Sequence, residues 1–139
     1  MSEEGFFATM VLSKYWPRTG RVQTARAGHP YPLWVVNHEF RDLPKLDGIP
    51  IGVESGAKYE KTEFTLSPGE ALLFITDGVT EAENEKSELF GDDRLTDYFK
   101  EAKGPPWAEG LLKKIDLWRG NAAMNDDLTM VEIWRDPTK

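Results

Sequence analysis

The sequence predicts an α+β domain in which antiparallel strands come first and helices later. Three observations carry that prediction. Residues 21–27 and 59–66 alternate polar and apolar positions, the period of a half-buried strand. Residues 71–76 (ALLFIT) form an unbroken apolar run of strand length, the pattern of a strand covered on both faces. Beyond residue 90 the apolar positions recur at helical spacing, before LTMVEIW closes the pattern as one more strand.

Taken in order, residues 6–14 (FFATMVLSK) are apolar-rich with Thr and Val and suit a strand. Pro17 to Gly20 is a turn cluster, and residues 21–27 place Val22, Thr24 and Arg26 on one side, so the two strands should form a hairpin. Gly28 to Pro32 interrupts, and Leu33 to Val36 resumes as a short strand. Residues 40–57 read as a loop anchored by buried Ile49 and Ile51. Tyr59–Leu66 and Ala71–Thr76 are strands separated by the turn Ser67-Pro68-Gly69-Glu70. A helix over 92–102, with Asp92 as N-cap and Leu95, Phe99 and Ala102 on one face, ends at Gly104-Pro105-Pro106. A second over 107–118 carries Leu111, Leu112, Ile115 and Trp118, and the last strand spans 128–134.

A length of 139 residues fits one domain, and 40% apolar with 12% aromatic residues is a globular composition. The net charge of −7 argues against nucleic acid or an anionic membrane surface as the main partner, because both require excess Lys and Arg. No Cys is present, which excludes disulfides, thiolate metal sites and cysteine nucleophiles. No run reaches the ~18 apolar residues of a membrane span, and the N-terminus lacks a signal-peptide pattern. The expected location is cytoplasmic.

Two acidic segments could carry chemistry. In ITDGVTEAEN (75–84) Asp77 sits at the end of the apolar strand, where it can face a cleft, and Gly78 permits a sharp turn or a close backbone approach. Asp77 reads either as an oxygen ligand for a hard cation or as an acid that hydrogen-bonds its own turn. Asn125-Asp126-Asp127-Leu128-Thr129 places two adjacent carboxylates before the last strand, a solvated turn or a pair neutralised by a cation. Carboxylates converging from two strand edges are what a two-metal site needs. His29, in AGHPYP, is a ligand, a general acid or a packed imidazole fixing the turn; His38 carries no signal. The acids from Glu81 to Asp93 lack EF-hand spacing and read as a solvated loop leading into a helix. Paired acids also fit a glycosidase. There is no phosphate-cradling glycine loop and no nucleophile elbow.

The order of the motifs is more specific than any one of them. FATMVLSKYWPRTGRVQTARAGHPYPL, GIPIGV, LSPGEALLFITDGVTEAENEKSELFGDDRL and NDDLTMVEIW together resemble the SpoIIE-like bacterial branch of the metal-dependent (type 2C, PPM) serine/threonine protein phosphatases, over about residues 6–135. The resemblance implies part of an α-β-β-α sandwich of two antiparallel sheets flanked by helices, with residues 1–139 as its C-terminal portion. It implies a site binding two Mn2+ or Mg2+ ions that activate a water for in-line attack on phosphorus. By this resemblance Asp77 matches the metal-binding Asp of the family's TDG motif, Asp126 the metal-binding Asp that opens its D-D/N-x-T motif, and Asp127 adjoins it to bind a metal or orient a metal-bound water. Gly78 and Thr129 look like supports for those turns. The implied substrate is a phosphoserine or phosphothreonine protein, in this family often an anti-anti-sigma factor, downstream of a receiver or sensor module. Nothing in residues 1–20 matches the family's acidic G-D-x-x-D motif. The chain alone is therefore expected to bind metal weakly and hydrolyse phosphate poorly, and its open sheet edges invite a homodimer. The alternative is a pseudophosphatase module that binds a partner protein without catalysis.

Overall fold

The computed structural model describes residues 5–44 and 47–138. Its strands are β1 (Met10–Trp16), β2 (Arg21–Ala27), β3 (Leu33–Val36), β4 (Glu39–Arg41), β5 (Lys61–Thr65), β6 (Ala71–Ile75) and β7 (Met130–Trp134). Helices α1 (Gly91–Glu101) and α2 (Ala108–Arg119) lie between β6 and β7. One sheet has the order β1-β2-β5 and the other β4-β3-β6-β7, and every pairing is antiparallel.

The alternation along β2 decides which face is inside. Val22 and Thr24 are buried, and register sets Tyr15 and Phe64 beside Val22 and Ser13 and Thr62 beside Thr24. Val22, Phe64 and Leu66 meet Trp34 and Leu72 of the four-stranded sheet in the core between the sheets. β6 is buried on both faces, as its apolar run predicts. Leu72 points into the inter-sheet core, while Ala71, Leu73 and Ile75 join the second core with Phe99, Leu111 and Ile115 of the helices. The result is a β-β-α stack. Among the described residues no helix covers the outer face of the β1-β2-β5 sheet, where Arg21 forms a two-pronged pair with Glu63 at 2.7 Å.

Two carboxylates inside the stack are well partnered, whereas the Trp107 and Trp118 indole N–H groups and Arg119 Nε are buried without a partner among the described residues. The Glu70 carboxylate accepts from Trp34 Nε1 and from the Ser67 amide, each at 3.0 Å, with Arg41 at 3.5 Å. Glu132 of β7 accepts from the Trp107 amide at 2.8 Å and the Ala108 amide at 3.0 Å, so a carboxylate from a distant strand caps α2, which has no cap of its own.

Several expectations change. The first strand starts at Met10, leaving Phe6 and Phe7 exposed, because pairing with β2 stops at Ala27. Asp92 is not the N-cap of α1: Phe90 takes that position and Asp92 lies in the first turn, where its charge still suits the helix dipole. Ile49 and Ile51 are 39% and 38% exposed and do not anchor the loop; Pro50 packs against Gly28 instead, and Ile51 and Ala8 exchange backbone hydrogen bonds. Residues 45–46 of that loop lie outside the described residues. The last strand begins at Met130 rather than Leu128. The three-residue strand β4 was not expected; it forms because Phe40 lays its ring edge-on to Phe99, with centroids 5.0 Å apart.

Candidate metal centre

The site is built on the end of β6 and the start of β7. β6 stops at Ile75, Thr76 stays extended, and Asp77–Val79 form a single 3-10 turn. Across from it, Asn125–Leu128 approach β7 without regular structure. Thr76 ties the two together. Its amide donates to the Thr129 carbonyl at 3.1 Å, its hydroxyl donates to the Asp127 carbonyl at 3.3 Å, and the same hydroxyl accepts from the Thr129 amide at 3.0 Å. The side chain thus continues the β6–β7 ladder past its last pair, Ile75 with Met130.

Gly78 closes the junction. It is buried, and a β-carbon there would stand 2.5 Å from the Asp127 carbonyl oxygen, closer than atoms can sit. Only glycine allows this approach. The Asp77 turn and the Asp126-Asp127 turn therefore meet backbone to backbone at one end of the sandwich.

Asp77, Asp126 and Asp127 are all exposed. Asp126 Oδ1 accepts from the Asp127 amide at 2.7 Å. Among the described residues no Lys or Arg forms an ion pair with any of the three. Hard oxygen donors left without a cationic partner suit a divalent cation. The set is partial, however: among the described residues no group of three or more His, Asp or Glu side chains stands close enough to hold a metal ion. The fit is one of donor chemistry and of a backbone cradle, not of a finished coordination sphere.

Two recesses flank the junction. A cavity of about 360 Å³ lies on the helix side, lined by Gly78, Glu81, Leu89, Arg119, Met124 and Asp126 among others. An apolar cleft of about 430 Å³ opens between β1 and β7, and His29 lines it together with Thr76 and Thr129. His29 is half-buried; its Nδ1 is 3.3 Å from Thr9 Oγ1, and its carbonyl accepts from Arg26 Nε. It thus packs into the turn after β2 and also borders the recess beside Thr76.

The sequence reading missed Thr76, which serves both turns; its signal is a lone polar residue ending an apolar run. Glu85 is exposed, as a solvated loop predicts, and additionally accepts from the Asn121 amide at 3.1 Å. Arg119 carried no signal, yet it lines the cavity with Asp126.

Residues 1–136 match the family model described as Stage II sporulation protein E (SpoIIE). The chain belongs to the SpoIIE family. A curated relative is Protein IcfG of Synechocystis, 27% identical over 134 residues, covering 94% of this chain and 21% of that protein. The RsbU and RsbW domains of Rv1364c from Mycobacterium tuberculosis superpose with a TM-score of 0.71 at 28% identity, over 92% of this chain and 37% of that one. The SiaA-PP2C domain of Pseudomonas aeruginosa gives 0.65 at 26%, over 86% and 48%. The phosphatase domain of SpoIIE from Bacillus subtilis, from Mn-presoaked crystals, gives 0.68 at 17%, over 92% and 56%; that likeness speaks to the fold. The described residues of this SpoIIE-family chain form two antiparallel sheets and two helices with the fold of those phosphatase domains, and the chain spans about half their length or less. None of its described helices is long and apolar enough to cross a membrane.

Proposed function

We propose that the chain supplies the Asp77 and Asp126 half of a metal-dependent phosphatase centre that hydrolyses phosphoserine or phosphothreonine on a regulatory protein. The observation that carries this reading is the Thr76–Gly78–Asp127 junction. It brings two acidic turns, 49 residues apart in sequence, into backbone contact, with no Lys or Arg paired to their carboxylates among the described residues. Asp77, Asp126 and Asp127 would hold Mn2+ or Mg2+, with Gly78 and Thr129 shaping the turns and His29 supporting the neighbouring recess. A divalent cation, if held by these residues, would supply a more acidic water, its pKa lowered from about 15.7 toward neutrality, and would offset charge on phosphoryl oxygens.

The chain's own residues do the rest. Thr76 fixes the spacing of the two turns, and the cavity beside Asp126 leaves a phosphate ester room to approach. On their own, the three aspartates with Glu81 would repel a phosphate dianion. The reading therefore predicts no phosphate binding without a divalent cation. Membership of the family, together with RsbU-type neighbours, supports a phosphoprotein partner such as an anti-anti-sigma factor. The test is Mn2+-dependent hydrolysis of p-nitrophenyl phosphate by the full-length protein and its Asp77→Asn and Asp126→Asn variants. Loss of at least about a hundredfold in both variants, the scale of one lost transition-state contact, supports the reading; unchanged rates sink it.

One observation favours a second reading. The described residues bring no three metal-ligating side chains together. A pseudophosphatase module that binds a partner protein would show that arrangement permanently, and full-length protein without Mn2+-dependent turnover would select it. β1 and β7 are sheet edges, and Val131 of β7 is 53% exposed, which supports a homodimer through an edge strand. Sedimentation at two protein concentrations tests that association.

A further inference from the structure

The loop from Gly120 to Asp127 carries two of the three site carboxylates and has no helix or strand of its own. It leaves α2 through Gly120, whose φ of +60° and ψ of −123° form a backbone conformation that favours glycine. At its far end Thr76 holds Asp127 and Thr129. At its near end two side chains hold it. Arg119 Nη2 donates to the Ala122 carbonyl at 2.8 Å, and Glu85 Oε1 accepts from the Asn121 amide at 3.1 Å.

The two contacts differ in setting: the Arg119 side chain is largely buried, whereas Glu85 and Asn121 are exposed. The Arg119 side chain is only 16% exposed, and Asp116 Oδ1 accepts from its Nη1 at 3.2 Å, so the guanidinium is fixed before it reaches the loop. The carboxyl carbon of Glu85 lies 3.4 Å from where a β-carbon on Gly120 would be, an ordinary contact distance, so the carboxylate stands beside the end of α2. Glu85 belongs to the loop that follows the Asp77 turn. That loop is stiffened by Asn84, whose Oδ1 accepts from the Lys86 and Glu88 amides and whose Nδ2 donates to Glu88. The segment after Asp77 therefore reaches across to grip the segment before Asp126.

We infer that Arg119 and Glu85 are positioning residues for Asp126 and Asp127, a clasp that sets how tightly the site binds its divalent cation. The inference rests on the reading of Asp126 as a metal ligand. It assigns two residues outside the TDG and DDLT motifs to the same site and gives the acidic loop a role other than solvation. Without the clasp, the near end of the loop past Gly120 keeps only the bond from the Ala122 amide to the Arg119 carbonyl at 3.1 Å, and ordering the loop on binding costs affinity.

The experiment uses the full-length protein and Mn2+ as the probe. Arg119→Met keeps the buried stem and removes the donors, and Arg119→Lys returns one donor. Glu85→Ala removes the acceptor, and Glu85→Gln keeps it. Amide exchange of residues 121–127 is followed in metal-free protein, and Mn2+ affinity is measured by titration calorimetry. Expected are faster exchange confined to 121–127 and about tenfold weaker Mn2+ binding in Arg119→Met and Glu85→Ala, the scale seen when a partner of a metal ligand is removed. Arg119→Lys should recover part of the loss and Glu85→Gln most of it. Unchanged exchange and affinity, or Glu85→Gln as damaging as Glu85→Ala, overturns the clasp. Asp126→Asn separates the two layers of argument. If it abolishes Mn2+ binding while the clasp variants bind normally, the clasp alone fails. If it binds Mn2+ like the unmodified protein, the metal reading fails and the clasp with it. Should Arg119→Met not fold, the exposed Glu85 pair decides the matter.

Discussion

Gly78→Ala perturbs the junction with a single methyl group. Its β-carbon would meet the Asp127 carbonyl oxygen at 2.5 Å, with the carbonyl carbon at 3.2 Å and Leu128 Cα at 3.5 Å. The first obstacle is backbone, so no side chain can rotate away; the two turns must separate by several tenths of an ångström. That movement lengthens the Thr76 Oγ1–Asp127 hydrogen bond, already 3.3 Å, beyond a useful distance. Forcing a methyl into a closed contact costs about 1–3 kcal/mol, with about 1 kcal/mol more if the hydrogen bond goes. Urea unfolding of the chain by tryptophan fluorescence should therefore show the midpoint falling at unchanged slope, with a total loss of about 2–4 kcal/mol. In the full-length protein the Mn2+ requirement should rise in parallel. A variant within about 0.5 kcal/mol of the parent, the scatter expected of a neutral surface change, would refute the close approach of the two turns.

Three further predictions concern the scaffold. Glu132→Ala strips the cap from α2 and should cost about 0.5–2 kcal/mol, with the faster amide exchange concentrated at Trp107 and Ala108. Phe99→Ala, at the meeting of Phe40, Trp107 and α1, should cost about 3–5 kcal/mol and release β4 first, read by loss of exchange protection at Glu39–Arg41. Hydrogen bonds from Arg21 and Gln23 hold the Glu63 carboxyl down from 4.5 to about 2. Its contribution is thus complete above pH 4.5 and disappears as pH falls toward 2, so the stability gap between the parent and Glu63→Gln should close over that window in an acid titration.

What the sequence revealed depended on how local the cause was. β6 could be read from ALLFIT because a strand covered on both faces has no polar position to interrupt it, and β2 from the alternation of Val22 and Thr24. α1 and α2 followed from Leu95 and Phe99 and from Leu111 and Ile115. Non-local causes left no trace. β4 exists through Phe40 against Phe99, a contact across 59 residues. Glu132 looked like an ordinary strand residue until α2 was placed over it. Ile49 and Ile51 were read as buried from their hydrophobicity, but the close packing there falls to Pro50 on Gly28. At the site, Asp77, Gly78 and Asp126 stood out as acids and a glycine at the edges of apolar strands. Thr76, Arg119 and Glu85 act through contacts with loops 36 or more residues away or through a partly buried helix end, and no spacing rule exposes them.

The central claim is that the two acidic turns form one divalent-cation site. Its most direct test is calorimetric titration of Mn2+ into the full-length protein, compared with Asp77→Asn and Asp126→Asn. The account predicts saturable binding that either substitution weakens by at least about tenfold, because each removes a ligand or breaks the pairing of the turns. Binding that survives both substitutions unchanged would contradict it.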